Sequence, residues 1–151
     1  MRRIGHLAFK IHHLKYQTAA LLLSAVKIIK PMKIALAQQN YHIGNFESNT
    51  RKIIDAIEQA KQAGADLVVF SELCICGYPP RDFVEFSDFI NKCYEAIETI
   101  KEHTHNIGVI IGAPERNPMK KGKDLFNAAW FLYNRELIGT ARKTLLPTYD
   151  V

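Results

Sequence analysis

Cysteine is scarce in this chain: three residues among 151, an odd number, two of them at Cys74-x-Cys76. That excludes a disulfide scaffold, and the spacing does not match the ligand pairs of a structural zinc site. Reduced thiols in a cytoplasmic compartment are the expectation. Long apolar runs are missing too. The apolar centre nearest the start, Thr18 to Val26, falls far short of the roughly 20 residues that cross a bilayer, so no membrane partner is expected. Internal repeats and low-complexity tracts are absent, which excludes solenoid and linker-like architectures. A body-wide excess of positive charge is also lacking, despite a net charge of +5. Residues 1–31 hold Arg2, Arg3, Lys10, Lys15, Lys27 and Lys30 and no acid, leaving fourteen basic against fifteen acidic residues elsewhere. A nucleic-acid interface would need a basic stripe across the folded body, so nucleic acid is not an expected partner.

What is present is a chain that is 48% hydrophobic, enough for one domain with its own core. The basic leader 1–31 carries an apolar centre that runs into Lys27-Ile28-Ile29-Lys30, not into a small-residue cleavage site. It is expected to lie outside the fold, with Met32 a candidate true start; a targeting role for it remains an alternative.

From Lys33 the pattern alternates between strand and helix. Lys33 to Gln38 reads as a strand. Ser48 or Asn49 then caps a helix whose Ile53, Ile54, Ile57 and Ala60 share a face and which Gly64 stops. Leu67 to Phe70 is a continuous apolar run of the kind found in strands buried on both faces. Strand, helix, strand in this order implies parallel pairing. Pro79-Pro80 interrupts regular structure, a second helix is expected from about Asp88 to Thr104, and Val109 to Ala113 is a strand ending at Pro114. Glu115 to Asp124 reads as an exposed loop between this strand and a hairpin, 125–133 and 137–143. The result is an α/β layer that looks unfinished: two helices cover one face of a sheet whose parallel strands need both covered.

Glu72 and Lys143 each follow a strand, where α/β proteins place their sites. Glu72 also reads as a surface carboxylate or a cap, and Lys143, beside Arg142, as a solvated basic turn. His103 and His105 end a helix and suit its dipole, so no metal is expected. His42 reads as an exposed loop residue or a pocket wall, and Trp130 as core.

Several segments, in order, resemble the nitrilase, or carbon-nitrogen hydrolase, superfamily. They are Lys33-Ile34-Ala35-Leu36-Ala37-Gln38, Phe70-Ser71-Glu72-Leu73, Gly112-Ala113-Pro114, Phe126-Asn127-Ala128-Ala129 and Arg142-Lys143-Thr144-Leu145-Leu146-Pro147. Gly77-Tyr78-Pro79-Pro80-Arg81-Asp82 and Lys143 to Val151 look specifically like the N-terminal glutaminase domain of glutamine-dependent NAD synthetases. The resemblance implies that 32–151 is roughly the first half of a nitrilase-like α-β-β-α sandwich. It implies Glu72 as general base for a cysteine thiol that attacks the amide of L-glutamine, and Lys143 as stabiliser of the oxyanion. Tyr149, and more weakly Tyr78, would contact the substrate. Ammonia would pass to a domain that uses ATP and Mg to convert nicotinic acid adenine dinucleotide to NAD; the glutaminase step needs no cofactor. A homo-oligomer is expected of the complete protein.

One part of the pattern departs. The resemblance places the nucleophile some tens of residues past the lysine, whereas the sequence ends at Val151. Cys74 and Cys76 share a loop with the base and read as packing thiols, as does Cys93. The chain by itself is thus expected to be inactive. A stand-alone amidase or nitrilase, and a non-catalytic half-domain that binds a partner through its open layer, are the competing readings.

Overall fold

The computed structural model describes residues 31–119 and 121–144. All of the leader except Pro31, and Tyr149, lie outside them. The elements are β1 (Ile34–Ala37), α1 (Phe46–Gln62), β2 (Leu67–Phe70), a 3-10 turn (Arg81–Glu85), α2 (Ser87–Lys101), β3 (Gly108–Arg116), β4 (Leu125–Tyr133) and β5 (Glu136–Arg142). One five-stranded sheet runs in the order β1-β2-β3-β4-β5. Its first three strands are parallel, as the strand-helix-strand order requires, and β4 and β5 add antiparallel. No described helix is long and apolar enough to cross a membrane.

Helix α1 forms because Ile53, Ala56, Ile57 and Ala60 recur on one face, with Glu47 in the first turn and Lys61 in the last matching the helix dipole. The expected cap is corrected. Asn45, not Ser48 or Asn49, accepts from the Ser48 amide. Asn49 is fully buried and spans two loops: its Oδ1 accepts from His42 N at 3.0 Å, and its Nδ2 donates to His42 O at 2.8 Å and Ile75 O at 3.1 Å. Gly64 does end the helix, at φ +69°. Helix α2 stops at Lys101, earlier than the apolar spacing suggests, because Thr104 turns inward and is fully buried.

Strand β3 continues through Pro114 to Arg116, past the expected end at Pro114. Pairing with β2 stops at Ile110, so beyond it a residue without an N–H is tolerated on that side. Glu115 therefore belongs to a strand and not to the loop. The β4–β5 hairpin turns at Asn134 (φ +49°) and Arg135 (φ +65°), the two positive-φ residues of a tight primed turn. That turn is anchored to Thr104, whose carbonyl accepts from Asn134 N and whose hydroxyl accepts from Arg135 N, each at 2.9 Å.

Alternation along the strands sorts side chains onto two faces. Val68, Phe70, Val109, Ile111, Trp130 and Leu132 point toward the helices and form the core with Ile53, Ile57, Ile97 and Ile100. The tryptophan is buried, and its Nε1 donates to Ala113 O at 3.3 Å. The opposite face carries Ile34 and Leu36, which are 52% and 79% exposed, and no described element covers it.

Candidate active site

The carboxylate arrives on a loop that is stitched to the sheet. Leu73, Cys74, Ile75 and Cys76, directly after Glu72, are all buried. Ile75 N donates to Gly112 O at 3.3 Å, Gly77 N to Leu73 O at 2.8 Å, and Gly44 N to Cys76 O at 3.0 Å. Gly112 permits this approach because a Cβ there would stand 2.4 Å from Leu73 N and 2.8 Å from Ser71 O. Gly77 has the same role at φ +82°, where a Cβ would meet Ile43 N at 2.6 Å.

On the open face, at the ends of β2 and β5, Lys143 Nζ donates to Glu72 Oε1 at 2.9 Å across 71 residues of sequence. Asn127, from β4, donates through Nδ2 to the same oxygen, and its carbonyl accepts from Lys143 N at 2.8 Å. Both donors use Oε1, and Oε2 has no hydrogen-bond donor among the described residues. The bond from Lys143 holds the Glu72 carboxyl below the usual carboxylate range; partial burial opposes this and Asn127 adds to it. The group is ionised at neutral pH. These residues line a groove of about 430 Å³ with Gly112, Ala129 and Ala141. Larger hollows lie along the outer faces of α1 and α2 (about 620 Å³) and beside the start of α2 (about 870 Å³), and neither contains Glu72 or Lys143.

Of the residues that the sequence singles out, Glu72 and Lys143 come together. Tyr78 does not join them: it is 49% exposed, on the loop before Pro79, and does not line the groove. Tyr149 lies outside the described residues. His42 contributes backbone to the Asn49 network, and His103 Nδ1 lies 3.7 Å from Glu58 on the helix side. Asn127 is a site residue that sequence reasoning misses, where it is one letter of a motif; its place two residues before Ala129, on the alternation that faces the groove, is the available signal.

None of the three cysteines can supply a nucleophile here. All are fully buried. Burial pushes the Cys74 thiol up to about 12, and that sulfur packs against the Gly112 backbone. Cys76 Sγ donates to the Leu73 and Gly77 carbonyls, each at 3.7 Å, and the neighbouring Cys76 together with burial pushes the Cys93 thiol up. Among the described residues no group of three or more His, Cys, Asp or Glu side chains is placed to hold a metal ion.

Known proteins resemble this chain in sequence and in fold. A glutamine-dependent NAD(+) synthetase of Thermotoga maritima is 35% identical over 123 residues, and one of Xylella fastidiosa is 38% identical over 121. These matches take in 82% and 80% of this chain but 21% and 22% of the relatives, so the chain spans about a fifth of their length. The solved glutamine-dependent NAD+ synthetase of Acinetobacter baumannii, in complex with ADP, superposes with a TM-score of 0.73 at 34% identity, covering 81% of this chain and 22% of that one. An amidase from Nesterenkonia sp. shares the fold at a TM-score of 0.64 and 21% identity, covering 78% and 44%. The carbon-nitrogen hydrolase family model matches residues 33–151. With its α/β sheet, and with an acid and a lysine meeting at the strand ends, this chain belongs to the carbon-nitrogen hydrolase family.

Proposed function

We propose that this chain is the first part of a glutaminase domain that releases ammonia from L-glutamine for ATP-dependent NAD synthesis. The observation that carries the reading is the 2.9 Å contact between Glu72 and Lys143 in the groove. With Oε1 held by Lys143 and Asn127, Oε2 is the oxygen that takes the proton of an incoming thiol. The thiolate attacks the amide carbon, and Lys143 supplies positive charge to the developing oxyanion. Proton return to the leaving nitrogen frees ammonia, and water then releases glutamate from the thioester. The thiol comes from a cysteine other than Cys74, Cys76 and Cys93, because those three are sealed in the core. ATP and Mg act in the synthetase portion, and no step around Glu72 is routed through them.

The test is a pair of assays on the native gene product, one supplied with glutamine and one with ammonia. Glu72→Gln and Lys143→Met should each abolish glutamine hydrolysis while ammonia still supports NAD formation. Retained hydrolysis in either variant would sink the assignment. Hydrolysis of simple amides with no NAD formation from either nitrogen source would favour a stand-alone amidase.

A further inference from the structure

Strand β5 delivers Lys143, yet all seven of its residues are exposed and no described helix packs on it. Among the described residues, two contacts fix it beyond its ladder with β4. One is the turn anchored on Thr104. The other lies at the far end, on the face opposite the groove: Arg142 donates through Nε to Glu115 Oε2 and through a terminal nitrogen to Oε1, both at 2.9 Å. Thr140, two residues earlier on that face, donates to Glu115 Oε1 at 3.2 Å. Glu115 belongs to β3, so these bonds cross over β4, and the Arg142 guanidinium lies 4.6 Å from the centre of the Phe126 ring beneath it.

We infer that Glu115 is a positioning residue for Lys143, acting through a three-bond grip on Arg142 and Thr140. The physical link is alternation. Successive side chains of an extended chain point to opposite faces, so fixing Arg142 on one face fixes where Lys143 emerges on the other. An isolated exposed ion pair would contribute little. This one is a two-oxygen fork on a carboxylate only 13% exposed, supported by a ring face and a hydroxyl. Through the grip, β3 sets both walls of the groove: Gly112 seats the Glu72 loop and Glu115 seats the lysine strand.

The inference rests on reading Lys143 as functional, but its test needs no turnover. The Glu72 carboxyl is titrated by carbon NMR in the 151-residue chain, in wild type, Lys143→Met, Glu115→Gln and Arg142→Lys. Lys143→Met should raise the Glu72 pKa, because its principal donor is gone. Glu115→Gln separates two effects by sign. Deleting a nearby negative charge acts directly to lower the Glu72 pKa, whereas loss of the lysine's placement raises it. The expected result is a rise toward the Lys143→Met value; an unchanged or lower value overturns the inference. Arg142→Lys keeps both charges and removes the fork, so it too should raise the Glu72 pKa. If Glu115→Gln does not fold, Arg142→Lys decides alone, and an unchanged or lower value there overturns the inference as well. A wild-type Glu72 titrating in the ordinary carboxylate range also overturns it. Failure of the glutaminase reading would show in the turnover assays and leave these titrations standing.

Discussion

The two faces of the sheet are built from similar residues and have opposite fates. Toward the helices, Ile111, Val109 and Leu132 are fully buried; on the other side, Ile34 and Leu36 are more than half exposed. An apolar strand therefore states that both faces want cover, and only the sequence between strands decides which face receives it. Here α1 and α2 fall on one side, and the polar side chains that could do chemistry gather on the other, at the strand ends. One face supplies stability, and the other keeps a groove open beside Glu72.

The largest expected effects test the covered face and the seam between β3 and the Glu72 loop. Ile111→Ala should cost about 2–5 kcal/mol, the range for cavities left by large aliphatic truncations, as read by urea denaturation. Gly112→Ala should cost about 3 kcal/mol or more, because the added methyl meets Leu73 and Ser71 backbone and not a flexible side chain. A neutral outcome for Ile111→Ala would mean that the core is not where the helices place it, and one for Gly112→Ala that the Glu72 loop does not press on β3.

Next comes Asn49→Ala, which leaves the buried Ile75 carbonyl and the part-buried backbone groups of His42 without their partner. A loss of about 1–3 kcal/mol is expected, with the Glu72 loop loosened alongside. A change near zero would show that water replaces the amide.

Acid sensitivity should be smaller and traceable to the groove end of the sheet. Arg142 holds the Glu115 carboxyl below its usual range. A carboxylate depressed in the folded state stabilises it above the unfolded value, about 4.3, and that contribution disappears as pH falls through the folded value. Between neutral pH and about pH 3, Glu115→Gln should lose less stability than wild type. Equal losses in the two proteins would remove the ion pair from the account.

The smallest effect belongs to the open face. Leu36→Ser should change the stability of this chain by less than about 0.5 kcal/mol, since the leucine is 79% exposed. A large loss would show that something covers the face in solution, and the contrast between the two sides would collapse.

Much of this architecture is legible in the sequence because its signals are local. Apolar runs mark all five strands, and the order of elements gives the parallel pairing. Glu72 and Lys143 are visible as strand-end residues, and the structure adds that they touch. What the sequence conceals is tertiary. Asn45, Ser48 and Asn49 are equivalent short polar residues to a capping rule, and only packing against His42 and Ile75 turns Asn49 inward. Glu115 looks like one more charge in a loop, because its partner Arg142 is 27 residues away and reached across an intervening strand. Asn127 becomes chemically meaningful only when the β3–β4 and β4–β5 registers put it between the acid and the lysine.

The close approach at Gly112 has a kinetic meaning. Ile75 N and Cys74 Sγ both bond to the backbone of the central strand, so the segment bearing Glu72 cannot swing out without tearing that strand's own contacts. Its amides should exchange with solvent on the slow timescale of global opening, unlike those of an ordinary surface loop. The acid is thus held ready continuously, not by an excursion that must be waited for. Any substitution that loosens the core, however far from the groove, will shorten the fraction of time for which that readiness lasts.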